Sequence, residues 1–550
     1  MYKLVFSFIT FFITATADCQ NTQLPPETRI LQRPKLIVGI VVDQMRWDFL
    51  YRYYDRYAKD GGFRRLLSQG FSCENTMIPY IPTLTACGHS SIYTGSVPAI
   101  NGITGNDWWD YQRSQMVYCT GDEKFITIGS NGSEGQMSPQ NLLVTTIGDE
   151  LRLASNFKSK VIGIALKDRG AILPAGHSAN GAYWYNAKTG DWISSSYYMN
   201  ELPAWVKELN AKKLVDKYFA RDWTTLYPLN TYTQSTADEV PWENKAFGPM
   251  AKGFPYNLNQ FAGKNYAILP VTPYGNSYTF DLAKASIPGE QLGADSITDM
   301  LTVSLSSTDY IGHSFGPNAV ETEDDYLRLD KDLGDFLNYL DKQIGKGDYL
   351  IFLSADHGAG QVPSFLNEHK IPGGNVNSGK MEEGLIKLLK EKFKVDSLLI
   401  GVFNYQVFLD RNIIRSARLN KDTVYQTVID FLLQQPGVSR AFALNTLNET
   451  TLANAIRRTI ENGYFPDRSG DIQILYKPQW IDGFEGKGTT HGVWNPYDAH
   501  IPLLWYGWHI LPGKTNKEVY MTDIAPTLAA MLHIQMPSGS VGHVIEEVWK

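Results

Sequence analysis

Asp309 and His313 stand four residues apart in "SSTDYIGH", and Asp356 and His357 are adjacent in "SADHG". One helical turn aims residues i and i+4 at the same point, which is the spacing of a bidentate metal-ligand pair. Asp43 in "VVDQMRWD" and His491 in "EGKGTTHGVWNPYDAH" supply a further carboxylate and a further imidazole, the latter in a loop rich in Gly and Thr. Each has an ordinary explanation on its own, since an Asp after a strand caps or turns the chain and most histidines are simply hydrogen-bonded. Gathered in one place, the carboxylates and imidazoles would repel or strand buried charge unless cations neutralised them. Mixed nitrogen and oxygen ligands suit zinc best.

A nucleophile is the next requirement. In "PYIPTLTACGHSSIYTG", residues 79–95, two prolines keep the chain extended, and the small residues that follow predict a helix closing at Gly95. Thr85 sits at the junction. A hydroxyl there ordinarily accepts a backbone N–H. The same position also offers unpaired N–H groups and the positive end of the helix dipole, which hold an anion such as phosphate and favour an alkoxide. Threonine is a poor nucleophile, and no His stands at a recognisable spacing to deprotonate it, so a metal is needed in place of that base. Cys87, two residues on, has no evident base and reads as a buried small side chain. Lys167 and Arg169 follow an apolar run in "LKDRG". In an extended segment both project to one side and Asp168 to the other, which lets them straddle one anion. Two cations at that point favour a phosphate monoester, whose additional charged oxygen a diester replaces with an ester group.

The elements that must position these groups are short apolar runs: "LIVGIVVDQM" (36–45), "VIGIALKDRG" (161–170), "LTVSLSSTDYIGH" (301–313), "YLIFLSADHG" (349–358) and "IPLLWYG" (501–507). Near-continuous Val, Ile and Leu is the pattern of strands buried on both faces, which predicts an α/β fold with a mainly parallel central sheet sandwiched by helices. Ligands gather at the carboxyl ends of such strands, and four of the five runs end in candidate residues. In 321–345, Tyr326, Leu329, Leu333, Phe336, Leu337 and Leu340 fall on one helical face. The rhythm is lost over 185–290 and 400–485, which read as cap-type insertions in a catalytic domain spanning 33–550.

The 550 residues carry 50 basic and 57 acidic side chains, a net charge of −7, with no long basic run. A nucleic-acid or anionic-membrane surface is therefore not indicated, and any anion site is local. Lys3, the apolar stretch Leu4–Ala15 and the pattern Ala15-Thr16-Ala17 read as a secretory leader over residues 1–17, hence a periplasmic or secreted protein. That stretch is short for a span of ~20 residues, and no later segment is apolar enough to cross a bilayer. Asp18 is a poor context for lipid modification of Cys19. Cys73, Cys87 and Cys119 do not make a disulfide framework, although an oxidising compartment permits one bridge of unassigned pairing.

The segments with Asp43, Thr85, Asp309, His313, Asp356, His357 and His491 together resemble the alkaline phosphatase superfamily of two-zinc phosphoryl transferases. More closely, "VVDQMRW", "GHSSIYTGSVPAI", "GITGNDWWD", "LKDRGAILPAGH", "STDYIGH", "LSADHGAG" and "MTDIAPTLAAML" resemble the PafA-type, calcium-independent periplasmic alkaline phosphatases of bacteria, from about residue 33 to the C-terminus. The resemblance implies one zinc held by Asp309, His313 and His491, and a second held by Asp43, Asp356 and His357 with the Thr85 oxygen. It places Asn106, Lys167 and Arg169 on the substrate and implies monoester hydrolysis through a phosphothreonine. Nucleotide pyrophosphatases share the threonine and ligand order, but Lys167 and Arg169 argue against a diesterase. Sulfatases need a C/S-x-P-x-R context that Cys87 lacks, and cofactor-independent phosphoglycerate mutases use serine and manganese. A non-catalytic phosphate- or metal-binding protein would normally lack a ligand or the nucleophile, and none is missing.

Overall fold

Every side chain of Leu36–Val42 is buried, and this strand (β1) has a parallel neighbour on each edge, as its unbroken aliphatic sequence predicts. The computed structural model describes residues 31–483 and 486–549. The expected leader, residues 1–17, lies outside them, and the architecture below is that of the unit Pro34–Lys550.

The other strands of the main sheet are β2 (Phe71–Met77), β3 (Thr127–Ile128), β4 (Val161–Ala165), β5 (Gly181–Asn186), β6 (Asp191–Ser195), β7 (Asp299–Leu305), β8 (Tyr349–Ser354), β9 (His500–Ile501), β10 (Leu503–Gly507) and β11 (Gly513–Tyr520). Their order is β9-β2-β10-β8-β1-β7-β4-β5-β6-β3, with β11 added to β2. The centre, β8-β1-β7-β4-β5, is parallel throughout. β10 is antiparallel to β8. That reversal explains why 501–507 is the one apolar run without candidate residues at its end: its carboxyl end faces the opposite edge, and the loop before it lies with the other strand ends.

The flanking helices include α1 (Thr85–Thr94), α2 (Asp168–Ala175), α3 (Tyr274–Gly289), α4 (Ser307–Phe315) and α5 (Val320–Leu340). The six apolar residues predicted on one face of α5 are at most 1% exposed. The α-helix stops at Leu340, and Asp341–Gly345 form a π-type turn. No helix among the described residues is long and apolar enough to cross a membrane.

Between β6 and α3 the chain wraps an aromatic cluster in which Trp223, Phe247 and Tyr256 meet ring to ring, which accounts for the aromatic composition there. A separate antiparallel sheet of Leu399–Phe403, Gln406–Leu409, Ile472–Tyr476 and Val438–Ala443 has its own core around Val407, Val424, Leu432 and Ile472. Leu385 and Leu389 of the helix Ser378–Phe393 complete that core from upstream of residue 400.

α1 approaches the end of β8 so closely that a Cβ at Gly88 would lie 2.4 Å from the Asp356 carbonyl oxygen and 2.5 Å from its Cβ. Alanine normally stabilises a helix interior relative to glycine. Gly88→Ala is expected to do the reverse, lowering stability by about 1–3 kcal/mol because backbone cannot yield to the added methyl. Denaturant unfolding checks the sign, and a raised midpoint would show that α1 does not rest on β8.

Candidate active site

Thr85 is the first residue of α1. The N-cap is Leu84, in extended conformation, and no side chain caps the helix. The Thr85 hydroxyl is therefore not spent on a capping bond. It is 2% exposed, and its Oγ1 lies 3.4 Å from His357 Nε2. At the far end the helix closes as predicted on Gly95, left-handed at φ 62°.

Three imidazoles share one orientation. His313 Nδ1 lies 2.7 Å from the Thr489 carbonyl, His491 Nδ1 2.7 Å from the Thr83 carbonyl and His357 Nδ1 3.0 Å from the Gly358 carbonyl. In each case Nδ1 donates to backbone, which in the neutral ring leaves the lone pair on Nε2, the second-sphere arrangement of metal-ligating histidines. Burial, then the neighbouring His357 and His313, holds His491 well below the usual histidine range, and burial lowers His357 as well. Neutral imidazole is the form that binds a metal. His313 behaves differently: burial opposes its protonation, but the Asp309 carboxylate, 3.1 Å from Nε2, outweighs it and raises the pKa.

Five of the six acids and imidazoles fall into two overlapping groups. Asp43, Asp356 and His357 place ligand atoms within 4.8 Å of one another, and so do Asp309, His357 and His491. The resemblance puts His313 rather than His357 with Asp309 and His491. In the structure His357 serves both groups, stacked on His491, and His313 joins through Asp309.

The donors fit divalent cations. Asp43 Oδ1 and Asp356 Oδ2 are buried with no hydrogen-bond partner among the described residues. Burial, then Asp309 and Asp356, pushes the Asp43 carboxyl well above the usual range, a sign of uncompensated negative charge. The same point attracts a cation from the chain itself. Lys167 Nζ lies 2.5 Å from Asp43 Oδ2 and 2.6 Å from Asp309 Oδ2, and these carboxylates outweigh the cost of its burial and raise its pKa.

Lys167 and Arg169 do not share the extended segment predicted for them. Asp168 begins α2, Lys167 is its extended N-cap, and Arg169 lies in the first turn, so the two side chains leave from different backbone conformations. Lys167 turns to the carboxylates, and Arg169 Nη1 lies 3.2 Å from the Tyr118 hydroxyl. Asn106 is close to Thr85: its Oδ1 accepts from the Ala86 N–H at 3.0 Å, which takes up one of the helix-start amides expected to cradle an anion. The Asn106 Nδ2 hydrogens are then the ones left for a ligand. Cys73, Cys87 and Cys119 are free and buried, and burial pushes the Cys87 thiol far from a reactive state.

Residues 37–498 match the family described as type I phosphodiesterase / nucleotide pyrophosphatase. Alkaline phosphatase PhoV of Synechococcus elongatus is 54% identical, covering 98% of both chains. A Myroides odoratus protein named calcium-transporting ATPase is 52% identical, over 94% of this chain and 95% of its own. The crystal structure of alkaline phosphatase PafA superposes with a TM-score of 0.92 at 49% identity, over 94% of this chain and 99% of that one. The chain belongs to the PafA-type alkaline phosphatases. The transport name stays with the Myroides protein, since the groups gathered here are of a hydrolytic kind.

In this phosphatase two contributors were not apparent from sequence. His89, one turn after Thr85, sets its Nδ1 2.9 Å from the Thr85 carbonyl and 3.3 Å from Asp356 Oδ2, with Nε2 2.7 Å from Ser304 Oγ. Its i+4 spacing from Thr85 was the available signal. Tyr118 comes from the hairpin Asp107–Asp110/Gln115–Tyr118 and donates to Asp168 Oδ1 at 2.5 Å while contacting Arg169. Tyr118→Phe removes the hydroxyl that bridges Asp168 Oδ1 and Arg169 Nη1. A loss of about 1 kcal/mol, roughly fivefold in kcat/KM for a phosphate monoester, is expected. Unchanged steady-state kinetics would detach Tyr118 from Arg169.

Proposed function

We propose that the protein is an exported phosphomonoesterase that works with two divalent cations, zinc by the chemistry of the donors, and passes through a covalent phosphothreonine. One observation carries the reading: the Thr85 hydroxyl, free of any capping bond, lies 3.4 Å from Nε2 of a histidine that belongs to both acid–imidazole groups. Asp43, Asp356 and His357 would hold the cation on the Thr85 side, and Asp309, His313 and His491 would hold its companion. Bound there, the cations would lower the pKa of the Thr85 hydroxyl and offset charge on the departing oxygen.

The chain supplies the remaining steps. Thr85 Oγ1 forms a bond to phosphorus while the ester oxygen leaves from the opposite side and takes up a proton. Water then attacks the phosphothreonine, Oγ1 departs and regains its proton, and inorganic phosphate is released. The dipole of α1 favours negative charge at Thr85 throughout. Asn106 offers its Nδ2 hydrogens to a non-bridging oxygen, and Lys167 and Arg169 bring positive charge to the others. The first 17 residues act as the export leader, so the reaction runs in the periplasm or outside the cell. The matching family's description favours a phosphodiesterase as the second reading, against which the charges of Lys167 and Arg169 argue.

Hydrolysis of p-nitrophenyl phosphate and of its methyl diester, before and after chelation, tests this reading. Thr85→Ala is expected to keep its metal and lose roughly a thousandfold or more in monoester turnover. Near-normal turnover would remove Thr85 from its role, and wild-type, metal-replete protein inactive on both esters would leave a binding protein. Lys167→Ala with Arg169→Ala is expected to cost monoesters roughly a hundredfold and diesters far less. Equal losses would overturn the preference for monoesters.

A further inference from the structure

Gln44 follows Asp43 directly and adopts a left-handed backbone, φ 64°. A long side chain rarely takes that conformation, and where it does the surroundings must enforce it. Two hydrogen bonds account for the enforcement. The Gln44 backbone N–H donates to Asp356 Oδ1 at 3.1 Å, and its side-chain Nε2 donates to Asp309 Oδ1 at 2.6 Å. Asp356 belongs to one acid–imidazole group and Asp309 to the other, so this one residue holds a carboxylate of each.

The opposite wall is shaped to receive it. A Cβ at Gly312, between Asp309 and His313 on α4, would fall 2.0 Å from Gln44 Oε1, and its next two nearest contacts are also Gln44 atoms. The missing side chain at 312 thus makes room for this amide alone. Gln44 is 4% exposed. A buried amide beside carboxylates is easily replaced by an apolar residue, unless its donors are needed.

We propose that Gln44 is a positioning residue for the two-cation centre. It locks the Asp309 and Asp356 carboxylates in place with its amide and its backbone N–H, and Gly312 is the space its side chain needs. The proposal rests on the two-cation reading above. Groups that orient a metal ligand typically contribute 10–100-fold in metal affinity.

The test compares wild type, Gln44→Gly, Gln44→Glu, Gly312→Ala and the double variant Gln44→Gly/Gly312→Ala. Each protein is loaded with zinc and titrated with a chelator, and retained metal is counted by elemental analysis. Gln44→Gly is expected to release metal at roughly 10–100-fold lower chelator. Gln44→Glu, which keeps the size but replaces the donor with a carboxylate beside Asp309, is expected to do the same and carries the test if the glycine variant does not fold. Gly312→Ala is expected to weaken retention in the wild-type background and to add nothing in the Gln44→Gly background, because the atom it strikes is gone. Retention within twofold of wild type in Gln44→Gly or Gln44→Glu overturns the proposal and leaves the two-cation reading intact. So does a Gly312→Ala effect of equal size in both backgrounds. Wild-type protein that binds no divalent metal overturns both.

Discussion

Like charge confined in a buried site is the constraint around which this structure is organised. Asp43, Asp309 and Asp356 are all at least 96% buried, and two unit charges about 4 Å apart at an effective dielectric near 20 repel by about 4 kcal/mol. The fold meets this with chain-borne partners: Lys167 between Asp43 and Asp309, and Gln44 on Asp309 and Asp356. These partners do not saturate the set, since Asp43 Oδ1 and Asp356 Oδ2 remain without a hydrogen bond among the described residues. Incomplete satisfaction of this kind is costly in a resting core and useful in a site built to take up cations.

Topology makes the concentration of charge unavoidable. β8, β1, β7 and β4 are parallel neighbours, so their carboxyl ends deliver Asp356, Asp43, Asp309 and Lys167 to one edge within four adjacent strands. The histidines are then fixed by backbone rather than by side chains, each Nδ1 on a carbonyl. Ring orientation is thereby tied to three loop conformations, which leaves the Nε2 atoms little freedom to settle elsewhere.

Much of this is legible from residue order. Aliphatic runs give the parallel centre because a strand buried on both faces has no room for polar alternation, and acids or imidazoles just past such runs have few places to go. β2 is not legible, because Phe71–Met77 carries Ser72, Glu74 and Thr76 at buried positions, with Glu74 satisfied by Trp47 Nε1 and Tyr51 OH from distant sequence. The helix start between Lys167 and Arg169 escapes for a different reason: whether Asp168 continues an extended segment or opens a helix depends on packing against β4, not on the local sequence. Gln44 escapes because its role lies in a backbone angle, and Tyr118 because it arrives from a hairpin some fifty residues before Arg169.

The separate antiparallel sheet belongs to the site's mechanics as well as its cover. Asn404 and Tyr405 have φ of 52° and 60° and form the two-residue tip between Leu399–Phe403 and Gln406–Leu409, as in a type I′ hairpin. The tip grips two active-site loops at once: Asn404 Nδ2 donates to the Asp107 carbonyl at 2.7 Å, next to Asn106, and the Tyr405 hydroxyl donates to the carbonyl of His491. Room for the tyrosine ring exists only because residue 492 is glycine, left-handed at φ 121°, where a Cβ would fall 2.1 Å from Tyr405 Cε2. A segment with its own core is thus joined to the loop of Asn106 on one side and to that of His491 on the other. Its packing therefore bears on the spacing between the loop of Asn106 and Asp107 and the loop of His491, which the main sheet by itself leaves to the two loops.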